Sequence, residues 1–499
     1  MKFRLGWKKF HKWAGLLTAV FLLIFCASGI IMNHRAAFSG IDVTRKLLPA
    51  DYHLKNFNNG IIRGTLPLDS MRLMAFGNSG LWLTDRSFSS FADFNEGLPK
   101  GADNRQIRNV VIMRDGNLWC ATQFGLFRRE NNGWKEITLP GNDERISDLT
   151  LTPDSTGLIV LGRSAIYRVT PDGESECKQL TAPADYKPRV TLFKTVWQLH
   201  SGELFGTAGR IVVDIIALVI IFLCITGIIL FILPYRIRRL SKKHLTDRIK
   251  PTARKMKWNF RWHDKAGAVT IIFTVIIAFT GMCLRPPLMI PLVLTETSPL
   301  PGSNLDSDNA WHDKLRGIRW DENLDKWIVS TTEGFYTFDR NFSGAPGKPG
   351  KAPAISPMGV NVFEKEGEEW LIGSFSGLYR WNPEKETVTD YFTGKASERQ
   401  GGRPVSTHLV SGFSTNLGTP TVFDFSTGAA GLPEMPEELA SQPMSLWNVA
   451  LELHVGRCYT PFLGPLSSLF VFLAGLIITL VLISGYIVHH RHKKRSLTK

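Results

Sequence analysis

Four stretches of this chain are long and apolar enough to cross a bilayer, which takes about 20 residues of helix. They run near Trp13–Met32, Ile211–Leu233, Ala266–Leu284 and Leu466–Val488. The first has the basic start and apolar core of a signal peptide. No small-x-small cleavage site follows it, and Cys26 lacks the small residue that a lipoprotein signal places before it, so a retained helix is expected.

The net charge of +15 would suit nucleic acid, but its distribution excludes that partner. Segments 1–12, 235–265 and 489–499 hold 22 Lys and Arg against only Asp247 and Asp264, so the rest of the chain is slightly acidic. Basic segments alternating with acidic ones follow the positive-inside rule. Both termini and the RIRRLSKKHLTDRIKPTARK segment are therefore expected in the cytoplasm, and two long loops outside it. The expected order is helix one (1–34), outer β region one (35–199), helix two (200–234), basic cytoplasmic loop (235–262), helix three (263–285), outer β region two (286–453), helix four (454–488) and basic tail (489–499).

Two blocks occur twice. FHKWAGLLTAV…CASGI recurs as WHDKAGAVTII…AFTGM, and VWQLHSGELFG…CITGI recurs as ALELHVGRCYT…LISGY. In the first block, His11 and His263 are each followed four residues later by Gly and seventeen later by Ser28–Gly29 or Thr280–Gly281. Seventeen helical residues rise about 25 Å, so each His and its Ser/Thr–Gly step fall near opposite faces. Helices two and four run the other way, with His200 and His454 above the outer face and Thr226–Gly227 and Ser484–Gly485 near the inner one. Each face then collects two His from one helix pair and two Ser/Thr–Gly steps from the other. Neutral imidazoles suit two b-type haems held non-covalently, with His11, His200, His263 and His454 as iron ligands. Gly would let a flat macrocycle approach the helix backbone. Lys12 and Arg261 inside, and Arg35, Arg210 and Arg457 outside, are placed to pair propionates. The bland account is that interfacial His and small packing residues were copied together in a duplicated helix pair.

Other groups carry less. His34, in MNHR, is a further candidate cofactor ligand on the outer side. His489, His490 and His492 lie in the basic tail, and His53, His312 and His408 have no motif around them. Asp214 is a functional candidate because an ionisable residue inside a span usually is, although an i,i+4 ion pair with Arg210 accounts for it. The six Cys form no CxxC or CxxCH; Cys26, Cys224 and Cys283 read as apolar filler, and Cys120 and Cys177 share an outer loop where they could pair. No nucleophile elbow, zincin motif, P-loop, dinucleotide fingerprint or flavin motif is present, so no catalytic residue is assigned.

The outer loops repeat one phrase: LWLTDRSFSSF, LWCATQFGLFRR and LIVLGRSAIYRV in the first, KWIVSTTEGFYTF and EWLIGSFSGLYRW in the second. The copies lie roughly 40 residues apart, the period of a four-stranded propeller blade. The phrases look like sensor-type β-propeller repeats, about three from the first loop and two or three from the second. Two separate small β-domains would carry the same phrases.

At HKWAGL…SGIIMNHR and LHSGELFG…TG, with their second copies, the chain resembles the PepSY-associated transmembrane helix family. The resemblance covers all four helices and their edges. It implies a four-helix inner-membrane protein with a large periplasmic part. In one characterised branch it implies two b-type haems and reduction of ferric siderophores, releasing Fe(II) in the periplasm; the family's His positions fall on His11, His200, His263 and His454. The outer loops depart from that branch, reading as propeller blades where it has a PepSY α/β unit.

The expected fold class is therefore membrane α plus β: four transmembrane helices in two tandem repeats, with a propeller-like periplasmic domain built from two loops. The expected function is a haem-b ferric-chelate reductase. Its expected partners are the lipid bilayer, a quinol or a separate cytoplasmic or membrane reductase as donor, and a ferric siderophore as acceptor. The alternative is a periplasmic sensor or docking module anchored by four helices, without redox activity. A permease is disfavoured, because no span is broken by Gly or Pro and no membrane charge cluster occurs.

Overall fold

The computed structural model describes residues 6–141, 145–397 and 406–497. The chain divides into two compact units, one of residues 1–38, 188–306 and 446–499, the other of 39–187 and 307–445.

In the first unit, four helical segments have the length and hydropathy of membrane spans: Trp7–Asn33, Glu203–Lys242, Thr246–Cys283 and Arg457–Arg491. The helices that position the site are α1 (Trp7–Asn33), α2 (Leu192–Ser201), α3 (Gly206–Lys242), α4 (Thr246–Cys283), α5 (Leu446–His454) and α6 (Ser467–Leu497). The protein is thus a multi-pass membrane protein. The apolar seam of the unit includes Ala19 and Cys26 of α1 against Ile216, Ile220 and Cys224 of α3.

Two expectations need correction. His200 and His454 do not open helices two and four; each ends a separate short helix, α2 or α5. Thr191 caps α2 by accepting a bond from the Lys194 N–H, and the helix stops at Gly202 with φ 81°. A Cβ at Gly202 would stand 2.3 Å from the Gly209 carbonyl oxygen, so only glycine makes this turn. Gly456, with φ 80°, ends the second copy in the same way. The basic segment expected to be a cytoplasmic loop is helical almost throughout, leaving only 243–245 between α3 and α4. Lys and Arg are strong helix formers, so charge alone does not break a helix.

The second unit is built from small antiparallel sheets. Six of them follow in chain order, spanning 64–93, 107–137, 146–178, 315–338, 362–390 and 410–424. In the first five the second strand is buried on both faces over most of its length, as in Leu158–Gly162, which is why these strands read as largely apolar runs. The two loops share cores: Ile159 and Leu161 pack with Trp311, Leu315 and Trp327, and Leu54, Phe57 and Ile61 pack with Phe423 and Leu439. Two separate β-domains are therefore excluded. The sixth sheet meets the first, where the Phe413 N–H donates to the Arg63 carbonyl at 3.0 Å and Thr65 and Ser414 share a hydroxyl bond of 2.6 Å. Cys120 is fully buried between the first and second sheets, while Cys177 is exposed on the last strand of the third. The two, which could have paired, form no disulfide.

First strands carry a recurrent irregularity. The register shifts between Ile107 and Asn109, Ile146 and Asp148, Leu315 and Gly317, and Val410 and Gly412. Arg108, Ser147, Arg316 and Ser411 are the extra residues. Arg63 and Asn361 stand at the same place in the first and fifth sheets, each bonding through its N–H to the carbonyl of the residue that pairs with its successor.

Candidate cofactor site between the helices

The four histidines form two pairs. His11 on α1 and His263 on α4 have ring centroids 6.2 Å apart; His200 on α2 and His454 on α5 have theirs 6.0 Å apart. His454 touches Ser28 and His11 lies seventeen residues earlier on the same helix, so the pairs stand about 25 Å apart along α1.

Every imidazole is held in one way by another helix. The His11 Nδ1–H donates to the Val481 carbonyl at 2.9 Å and lies 3.3 Å from Ser484 Oγ. His200 Nδ1 meets the Ile277 carbonyl and Thr280 Oγ1, both at 3.1 Å. His454 Nδ1 meets the Phe25 carbonyl at 3.1 Å and Ser28 Oγ at 2.9 Å. His263 Nδ1 meets Thr226 Oγ1 at 2.9 Å. The four hydroxyls give their own protons to helix carbonyls three or four residues back, Ser28 to Ile24 at 2.6 Å and Thr226 to Phe222 at 2.7 Å among them. A hydroxyl so committed, beside a carbonyl that can only accept, requires Nδ1 to carry the hydrogen. The lone pair is then left on Nε2, the arrangement seen when an imidazole binds a metal and its other nitrogen is anchored. Burial, and for His200 the neighbouring His454, pushes His200 down to about 4; burial does the same to His454, so both rings are neutral at physiological pH.

The glycines do something other than expected. Each receives the edge of an imidazole: an added Cβ would lie 2.8 Å from His200 Cε1 at Gly281, 2.8 Å from His11 Cε1 at Gly485, 3.4 Å from His263 Cε1 at Gly227 and 3.5 Å from His454 Cε1 at Gly29. The Ser/Thr–Gly step is thus a cradle for histidine, with the hydroxyl binding the ring and the missing side chain making room.

These residues fit a haem iron. Metal–imidazole bonds run about 2.0 Å, so two rings sharing one metal through Nε2 place their centroids about 6 Å apart, as both pairs do. Among the described residues no group of three or more His, Cys, Asp or Glu is placed to hold a metal ion. A metal between two such imidazoles must bring its remaining ligands with it, as a porphyrin does.

Other residues named from the sequence are placed as follows. His34 joins neither pair: its Nε2 lies 2.7 Å from Asp214 Oδ2. Asp214 does not pair with Arg210, which binds Glu203 at 3.0 Å. Lys12 stands over the rings of Phe231, Trp13 and Tyr235, Arg35 lies 3.7 Å from the Trp447 ring centroid, and Arg457 binds Glu452. Arg261 lines a surface hollow with Lys257, Lys265 and Asp264, and His489 binds Asp264 at 2.9 Å. Sequence reasoning missed Asn259, a buried side chain donating to the Thr226 carbonyl at 2.8 Å beside the His263 cradle. It also missed Arg285, which donates to the Val455 carbonyl next to His454 at 2.8 Å. A polar Asn four residues before His263 on the same helix face is the one signal that pointed to the former.

Duplicated helix pairs that exchange histidines across a multi-pass bundle define a class of membrane protein with internal two-fold design. The model of the PepSY-associated TM region matches the chain twice, over residues 1–233 and 231–491. The chain belongs to that family. No curated protein matches it. Two solved structures are similar at 8% identity and a TM-score of 0.37, both of extracellular domains from B. thetaiotaomicron, one designated a one component system and the other a hybrid two component system. The matches cover 78% and 79% of this chain, which spans only 38% of each of those chains.

Proposed function

We propose that the protein is an inner-membrane b-type haem oxidoreductase with both termini cytoplasmic and the second unit periplasmic. The carrying observation is the geometry of the two histidine pairs, with centroids 6.0 and 6.2 Å apart and every Nδ1 anchored. His11 with His263, and His200 with His454, would each hold one haem b. A bound b-type haem supplies one-electron transfer. The chain's own residues fix the imidazole tautomer and orient the rings. With one pair near each end of the spans, the unit suits transfer from a quinol or a separate reductase to a periplasmic ferric siderophore or other iron chelate. Ferric chelators hold Fe(II) far less well, so one-electron reduction would also free the iron. The six sheets, each packed on the next, we infer to act as blades of one propeller-like body.

The second reading is a periplasmic sensor or docking module without redox activity. It draws on the size of the second unit, and it leaves eight matched His and Ser/Thr positions without a purpose. A dithionite-minus-oxidised spectrum with a pyridine haemochrome assay on the detergent-purified chain separates the two. About two haems b per chain are expected from two bis-His sites. A colourless protein after expression with ample haem would overturn the redox reading.

A further inference from the structure

We infer that the second unit binds a small α-amino acid, such as glycine or alanine, in the cavity that Asp42, Arg45, Asn78 and Arg105 line together.

The cavity holds about 120 Å³, the share of about four water molecules in the liquid. Its walls come from segments 42–61, 78–79, 101–105 and 442–443, which are far apart in the chain. The protein satisfies several of the polar side chains there by itself. Ser79 Oγ donates to the Ile61 carbonyl at 3.4 Å and Gln442 Nε2 to the Glu438 carbonyl at 2.9 Å. Arg45 gives Nε to the Gln442 carbonyl at 3.1 Å and Nη1 to the Tyr52 carbonyl at 2.6 Å. Two groups are left over: Arg105 Nε and Asn78 Oδ1 are buried without a hydrogen-bond partner among the described residues. The orientation of Asn78 is fixed, because its Nδ2 donates to the Asn59 carbonyl at 2.8 Å. A carbonyl only accepts, so the oxygen is the atom that remains. One wall of the cavity thus keeps an unmet donor and another an unmet acceptor. Buried groups in that state are costly, and a ligand that meets both recovers the cost.

Charge selects the ligand further. Arg45 and Arg105 are permanently positive, and Asp42 is the acidic side chain lining the same cavity. Asp42 is anchored by the Ala102 N–H, which donates to its Oδ1 at 2.9 Å. It interacts electrostatically with Arg105. The planar guanidinium fork of Arg105 matches a ligand carboxylate, and charge-assisted bonds of that kind are the strong ones. An ammonium group on the neighbouring carbon has Asn78 Oδ1 to donate to and the Asp42 carboxylate to balance it. A carboxylate and an ammonium one carbon apart are the core of an α-amino acid, and the volume leaves little space beyond that core. Asp42 is exposed, so the cavity is open to solvent on its side.

The test is calorimetric titration of the full detergent-purified chain with glycine, L-alanine, L-lactate and acetate at constant ionic strength. Saturable binding of glycine or alanine is expected. Lactate and acetate, which lack the ammonium, should bind about tenfold or more weakly, the worth of one charge-assisted bond. Arg105→Gln should weaken the amino acid by the same factor, and Lys326→Gln, an exposed cation outside the cavity, should leave it unchanged. Asp42→Asn keeps an oxygen for the Ala102 N–H, so its fold is retained, and it should bring alanine towards the affinity of lactate. Binding of neither amino acid, lactate or acetate as tight as alanine, or equal loss in the Lys326 variant would overturn the inference. Thermal unfolding supplies a second readout, since a ligand that binds the folded state raises the midpoint. Saturating alanine should raise the midpoint of the parent and not that of Arg105→Gln. An equal rise in both would put the binding elsewhere and sink the proposal. None of these readouts depends on haem content.

Discussion

Of the two haems b proposed, Gly281→Ala and Gly485→Ala should each cost the purified chain about one, whereas Gly29→Ala and Gly227→Ala should keep nearly both. The difference is steric. A methyl group at 281 or 485 would meet His200 or His11 at 2.8 Å, inside the contact distance of real side chains, while at 227 and 29 the gaps are 3.4 and 3.5 Å. The first two rings must move, and moving them breaks the Nδ1 bonds to Ile277 and Val481. Gly→Ala inside a helix otherwise stabilises it by about 1 kcal/mol, so haem loss in these variants would not reflect a weaker helix. Replacing His200 or His454 by Ala should remove the same haem as Gly281→Ala. A haemochrome assay on the six proteins is sufficient, and four indistinguishable glycine variants would refute the cradle.

The second large effect is in the sheets. Asp321 is 1% exposed and accepts from the Asn323 and Leu324 N–H groups at 2.9 and 3.1 Å, from Lys365 Nζ at 3.0 Å and from Trp370 Nε1. Asp321→Ala leaves the indole and two backbone donors without partners. Lys365 is partly exposed and can rehydrate, which limits the loss. About 3 kcal/mol of destabilisation is expected, at the upper end for stranded buried donors. Burial alone would raise the carboxyl, but the bonds from Trp370 and Lys365 outweigh it and hold it below its ordinary 3.8. A depressed folded value means the contribution is full above pH 3.8 and disappears as pH falls through the lowered value. Tryptophan-monitored unfolding at neutral and acid pH checks both points. A variant within about 0.5 kcal/mol of the parent at pH 7, the size of an ordinary surface change, would show that the network is dispensable.

Helices one and three were legible with their histidines because a fixed seventeen-residue spacing, read through the helical rise, places both ends of those two spans. What the spacing could not show is which atoms approach a glycine. Proximity of an imidazole and of a macrocycle ask the same thing of the sequence, a missing Cβ. The Arg210–Asp214 pair failed for a related reason. Their spacing is right, but Glu203 lies in the turn just before α3 and takes the arginine, leaving the carboxylate to His34. In the outer loops the repeated phrase revealed the sheets and not their partners, since the contacts of Leu161 with Trp311 join residues 150 apart. The bulges were invisible for the same reason: nothing in IRN or LRG marks Arg108 or Arg316 as an extra residue until the opposite strand is known.

Each cradle lies in the repeat that did not supply its histidine. His11 and His200 from the first half rest on Ser484 and Thr280 of the second, while His263 and His454 rest on Thr226 and Ser28 of the first. That is the contact pattern of an isologous interface, in which one patch meets its own counterpart about a two-fold axis. The chain is in this sense a homodimer whose two subunits are joined through 243–245. Neither half contains a finished imidazole site, so the halves are kept together by their chemistry as well as by the peptide that links them.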